Sequence, residues 1–139
     1  MKISNLDLEQ RISSLFDKSN QEFDSGNYED SIKYLEEAWD AIPEPKGIYD
    51  DSYHFALYLS ETYLQINNFN KTKEWSELIY TCDLERIDSG EREFLSGKVA
   101  YETGDISAAK QYFNMANEKS EGRCFIDVDK KYVEFFKNK

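Results

Sequence analysis

The stretch Tyr101-Glu102-Thr103-Gly104-Asp105-Ile106-Ser107-Ala108-Ala109-Lys110-Gln111-Tyr112-Phe113-Asn114-Met115-Ala116 decides the fold, because its layout occurs twice more in the chain. Phe23-Asp24-Ser25-Gly26-Asn27-Tyr28-Glu29-Asp30-Ser31-Ile32-Lys33-Tyr34-Leu35-Glu36-Glu37-Ala38 has the same order: an aromatic residue, two more residues, Gly, a short polar residue, an apolar residue and an amphipathic run. A third copy, Leu64-Gln65-Ile66-Asn67-Asn68-Phe69-Asn70-Lys71-Thr72-Lys73-Glu74-Trp75-Ser76-Glu77-Leu78-Ile79, carries Asn67 at the glycine position. A fixed internal repeat outranks any local reading of the chain.

Each copy reads as helix, tight turn, helix. Gly26 and Gly104 end a helix in the left-handed region at little steric cost, and Asn is the other residue that tolerates this backbone. Asn27 and Asp105, which follow, are placed to accept hydrogen bonds from the free N–H groups of the next helix. A turn this short forces the two helices to run antiparallel. Upstream of the turns, Leu15, Phe16 and Phe23, then Ala56, Leu57, Leu59 and Leu64, then Phe94, Leu95, Val99 and Tyr101 recur at helical spacing. Downstream, Tyr28, Ile32, Leu35, Ala38 and Trp39, then Phe69, Trp75, Leu78 and Ile79, then Ile106, Ala109, Tyr112, Phe113 and Ala116 do the same.

The pattern resembles the tetratricopeptide repeat (TPR), a helical pair of ~34 residues that stacks into a right-handed superhelix. Ser19, Ser60 and Gly97 match the small position where paired helices approach closely. Tyr28, Phe69 and Ile106 match the position after the turn; Ser31, Thr72 and Ala109 match the next, and Pro43 follows the first pair. The resemblance implies an all-α single domain of three antiparallel helix pairs, at about 6–43, 50–83 and 88–120. The spacing is longer than the family's, 41 residues from Gly26 to Asn67 and 37 from Asn67 to Gly104, and Pro43-Glu44-Pro45-Lys46-Gly47 must break helix in the first connection. The tail, with Tyr132, Val133, Phe135 and Phe136, reads as a capping helix at about 127–138 that covers the edge an open array leaves exposed.

Composition bounds the function. The 139 residues hold 28 acidic and 17 basic side chains, a net charge of −11, which disfavours nucleic acid and anionic membrane as partners and favours a basic protein. The acidity is uneven: residues 1–50 hold 5 basic and 12 acidic residues, residues 51–100 hold 5 and 9, and residues 101–139 hold 7 and 7. A 40% apolar share with 15% aromatics argues for a folded domain. The longest apolar run, Phe55 to Leu59, is far short of the ~18 residues of a membrane span, and the N-terminus lacks an apolar leader, so a cytoplasmic location is expected. Cys82 and Cys124 stand far apart with one histidine, His54, in the chain, which suggests neither a disulfide framework nor a metal site.

Chemistry is sparse. No nucleophile elbow, glycine-rich phosphate loop or HExxH is present, and the acid pairs Glu29-Asp30, Glu36-Glu37 and Asp50-Asp51 read as solvated surface. The expectation is a non-enzymatic protein with no cofactor. The resemblance implies a concave groove built from the first helix of each pair, and projects Ser13, Asp17, Asn20 and Asp24, then His54, Tyr58, Glu61 and Gln65, then Glu91, Lys98 and Glu102 into it. Phe16 and Phe23, with Tyr58, are the candidate aromatic anchors. TPR domains that clamp chaperone carboxylate tails use Lys and Arg where Ser13, Asp17, His54 and Tyr58 stand, so that activity is not expected.

Over nearly its whole length, including Pro43 to Lys46 and the segment 122–137, the chain also looks like a group of compact bacterial proteins of this size and layout. Members of such groups are often encoded beside polymorphic or contact-dependent toxins. This resemblance implies an immunity protein that binds and neutralises a basic toxin domain, such as a nuclease, through an acidic surface. The alternatives are a general scaffold or adaptor holding a peptide or helix of a cellular partner and, more remotely, an enzyme with an acidic pocket.

Overall fold

The computed structural model describes residues 2–82 and 89–138, and among these the chain is all-helical, with seven α-helices and no strand. The helices are α1 (Leu6–Asp24), α2 (Tyr28–Ala41), α3 (Asp50–Gln65), α4 (Phe69–Leu78), α5 (Glu91–Glu102), α6 (Ile106–Ser120) and α7 (Lys130–Lys137). The expected end of the second repeat at residue 83 and start of the third at residue 88 lie outside the described residues. The chain forms two compact units, Met1–Leu84 and Glu85–Lys139.

One turn geometry closes all three helix pairs. Gly26 (φ 82°), Asn67 (φ 60°) and Gly104 (φ 87°) occupy the left-handed region. The next residue in each turn then donates its backbone N–H five residues back: Asn27 to the Glu22 carbonyl at 2.8 Å, Asn68 to Tyr63 at 3.0 Å, and Asp105 to Ala100 at 2.9 Å. This six-residue closure satisfies carbonyls that the helix end would otherwise leave open. Asn68 and Asp105 also cap the following helix, accepting from the N–H groups of Lys71 at 3.3 Å and Ala108 at 3.2 Å. Asn27 does not: its side-chain amide turns back and donates to the Glu22 carboxylate at 2.9 Å, a charged acceptor that outcompetes the neutral cap.

In the first unit, α1 packs on α2, α2 on α3, and α3 on α4. Ile12, Leu15, Ile32, Leu35, Ala38, Ile42, Phe55, Leu59 and Tyr63 form its core, with Ile3 packed into it from ahead of α1. Small residues line the approach within each pair. Ser19, Ser31, Ser60 and Thr72 are all buried, and the Ser60 hydroxyl donates to the Thr72 carbonyl at 3.0 Å, tying α3 to α4. Trp39 and Trp75 meet edge to face at 5.0 Å. The Tyr63 hydroxyl donates to the Glu36 carboxylate and ties α3 to α2.

The proline-containing connection from α2 to α3 folds back on its own unit. Lys46 donates its ammonium to the carbonyls of Trp39 at 2.9 Å and Ile42 at 2.6 Å, placing a cation at the negative end of α2 and 5.7 Å from the Trp39 ring centroid. Gly47 is required there: a Cβ would stand 2.6 Å from the Thr81 carbonyl oxygen. Three apolar residues of the expected stripes are exposed, each at or next to a helix end: Phe23 one residue before the end of α1, Leu78 at the last position of α4 and Ile106 at the first of α6.

In the second unit α5 packs on α6, and α7 covers the pair. The core holds Phe94, Ala100, Ala109, Phe113, Ala116 and Tyr132. Gly97 lies under the Phe113 ring, whose nearest carbon would be 2.5 Å from a Cβ at that position. From α7, Tyr132 packs edge-on against Tyr101 at 5.6 Å, Phe135 against Tyr101 at 5.0 Å and Phe113 at 5.9 Å, and Phe136 stacks on Phe125 at 4.5 Å. The Tyr132 hydroxyl donates to the Glu102 carboxylate at 2.9 Å, as does the Lys131 ammonium at 2.5 Å. Glu93, 1% exposed, sits between Arg92 Nε and Lys119 Nζ, each at 3.0 Å. That arrangement offsets the cost of taking its charge out of water.

Gly97→Ala forces a methyl group into the Phe113 ring and is expected to lower unfolding free energy by about 1–3 kcal/mol. Gly104→Ala meets no neighbour and costs about 1 kcal/mol through its backbone alone. Denaturant unfolding of the two variants separates the causes. The hydroxyls of Tyr63 and Tyr132 are both pushed up from the ordinary tyrosine value, first by burial and then by the carboxylates they donate to. The folded state therefore holds these protons more tightly than the unfolded state, a contribution complete below about pH 10 and lost as pH rises beyond it. Tyr63→Phe and Tyr132→Phe should each cost about 1 kcal/mol at neutral pH and flatten the alkaline fall in stability.

Candidate protein-binding groove

The exposed face of α1 and α3 in the first unit holds the candidate site. Helical spacing aligns Glu9, Ile12, Ser13 and Phe16 along α1, and Asp51, His54, Phe55 and Tyr58 along α3; between them lies a groove of about 300 Å³. Its floor is aromatic. Phe16 and Tyr58 stack with centroids 5.3 Å apart and planes at 20°; Tyr58 and His54 continue the series at 6.3 Å and 22°. Phe55 meets Phe16 edge-on at 5.8 Å, and Tyr53 meets His54 the same way at 5.6 Å, which holds the wall from behind.

The groove's electrostatics come from carboxylates. Burial pushes the Asp51 carboxyl above the ordinary range; His54 acts in the opposite sense, and the neighbouring Asp50 and Glu9 add to the rise. No Lys or Arg is among the lining residues. The site is thus an aromatic surface edged with negative charge, suited to a group that is both flat or apolar and cationic.

The residues expected from the sequence fall into three sets. Phe16, His54 and Tyr58 come together in the groove. Asp17, Asn20 and Asp24 are exposed along α1 and Gln65 is exposed on α3, while Glu61 is half-buried on α3. Phe23 is 37% exposed near the end of α1, its ring set edge-on against Tyr28 of its own pair at 5.1 Å. In the second unit Lys98 places its ammonium 5.3 Å from the Phe94 centroid, Glu91 opens α5, and Glu102 is held by Tyr132 and Lys131. Its carboxylate ties α7 to α5.

Four lining residues, Glu9, Ile12, Phe55 and Asp51, were not among those expected, and Asp51 had been read as solvated. The signal was the helical series itself: Asp51, His54 and Tyr58 lie three and four residues apart on one face, as do Glu9, Ser13 and Phe16. Among the described residues, no group of three or more His, Cys, Asp or Glu side chains is placed to hold a metal ion, and no helix is long and apolar enough to cross a membrane. Burial pushes both thiols, Cys82 and Cys124, above the ordinary cysteine range, which keeps them protonated and poorly nucleophilic at neutral pH. No protein-family model matches the chain, and comparison with curated proteins finds no significant relative.

Proposed function

We propose that the chain is a non-catalytic protein-binding module of the tetratricopeptide kind, with three helix pairs belonging to one right-handed array, and that it acts in the cytoplasm as an immunity protein against a basic toxin domain. The groove between α1 and α3 is the observation that carries this reading, because it joins an aromatic wall to carboxylates with no lining Lys or Arg. Aromatic residues in a partly enclosed groove supply binding energy, and the surrounding acids supply encounter rate and partner sign. Toxins that cleave nucleic acid need basic clefts to hold phosphates, so the same acidity that excludes nucleic acid from this protein suits it to cover such a cleft. The exposed acids Asp17 and Asp24 extend the negative surface along α1.

Mixing the purified protein with the toxin domain encoded in the neighbouring reading frame tests the proposal. Stoichiometric loss of toxin activity is expected; a toxin that stays fully active in molar excess of the protein sinks it. Reversing Asp17, Asp24 and Glu61 together to Lys should slow association by about tenfold or more at low salt and flatten its dependence on ionic strength. Stopped-flow association kinetics measure both.

A further inference from the structure

The groove between α1 and α3 has features more selective than a generally acidic face, and they restrict what enters it. Its volume of about 300 Å³ is at the small end of ligand pockets, enough for one long side chain and too little for a folded element. Glu9 of α1 and Asp51 of α3 both line it, one carboxylate from each helix. The wall beside them is a run of three near-parallel rings, Phe16, Tyr58 and His54.

We propose that this groove seats a single arginine side chain of the partner, with its guanidinium plane against the Phe16–Tyr58–His54 wall and its N–H fork directed to Glu9 and Asp51. The inference rests on the protein-binding reading above and names the group recognised. Arginine fits for three reasons. Its planar, weakly hydrated cation lies favourably on aromatic faces, whereas the lysine ammonium is a strongly hydrated point charge. Its several donors can serve two carboxylates at once. Its charge compensates the Asp51 carboxylate, whose burial and acidic neighbours Asp50 and Glu9 disfavour the ionised form.

His54 is the single histidine of the chain, so its ring resonances report on the groove without ambiguity. The test titrates the whole protein, at neutral pH and low salt, with three short peptides that differ at one position: arginine, lysine or the neutral isostere citrulline. The arginine peptide should shift the His54 signals saturably, in the millimolar range expected of one anchored side chain, at about 1 mM. Citrulline should bind at least about tenfold more weakly and lysine several-fold more weakly. The double variant Glu9→Gln with Asp51→Asn should lose the preference for arginine over citrulline. Citrulline or lysine binding as tightly as arginine, or no saturable His54 response, overturns the proposal; these arms use the unaltered protein and do not depend on a variant folding. If a basic protein partner binds the protein and its Glu9→Gln/Asp51→Asn variant equally while His54 ignores arginine, the arginine seat is wrong and the protein-binding reading stands. An arginine-selective response in a chain that no basic protein occupies supports the seat and removes the wider reading.

Discussion

The three left-handed residues Gly26, Asn67 and Gly104 and the hydrogen bonds that close behind them are the constraint on which the helix pairs depend. Each reverses the chain within a few residues, so the two flanking helices must lie side by side and present apolar stripes to one another. Once that reversal is fixed, small residues are required where the helices touch. Ser19 and Ser31, Ser60 and Thr72, and Gly97 and Ala109 supply them. The turn sets the register, the small residues set the distance, and the larger apolar side chains fill what is left.

The same constraint determines where the chain can present a binding surface. In the first unit, α2 lies against both α1 and α3 and takes up their inward stripes. The outward faces of α1 and α3 then stand as neighbours, and residues scattered through the sequence at 9, 13, 16, 51, 54 and 58 become one surface. The aromatic rings there are braced by Phe55 and Tyr53, which belong to the packing behind them. A rigid wall of this kind loses little conformational entropy when it is covered, which makes it a better recognition element than the same rings on a loop. In the second unit the corresponding charge on α5 is used differently: Glu102 is bound by Tyr132 and Lys131 and fastens α7 in place.

What the sequence disclosed and what it concealed divide by range. Left-handed turns, capping by Asp105 and the covering helix α7 were legible because each depends on residues a few positions apart or on an unmistakable run of aromatics. Glu93 was not. In Glu91-Arg92-Glu93 it looks like one more surface charge, and only the arrival of Lys119 from the next helix makes burial tolerable. Lys46 was likewise read as part of a helix-breaking connection, whereas its ammonium caps α2 through two carbonyls. Asp51 passed for one of a solvated pair because nothing local shows that α1 will form the other side of a groove over it. Pairings set by tertiary neighbours leave no mark on short windows of sequence.

The contact between Gly97 and Phe113 illustrates how volume is shared across a helix pair. The positions equivalent to Phe113 in the other pairs are Leu35 and Ser76, facing helices that carry Ser19 and Ser60 in place of glycine. The largest side chain thus stands opposite the residue with none, and bulk given up on one helix is taken up by its neighbour. Drift at either site is therefore conditional on the other: a methyl group at 97 costs least where the side chain at 113 is smaller, and a smaller side chain at 113 leaves a gap that a residue larger than glycine at 97 can fill.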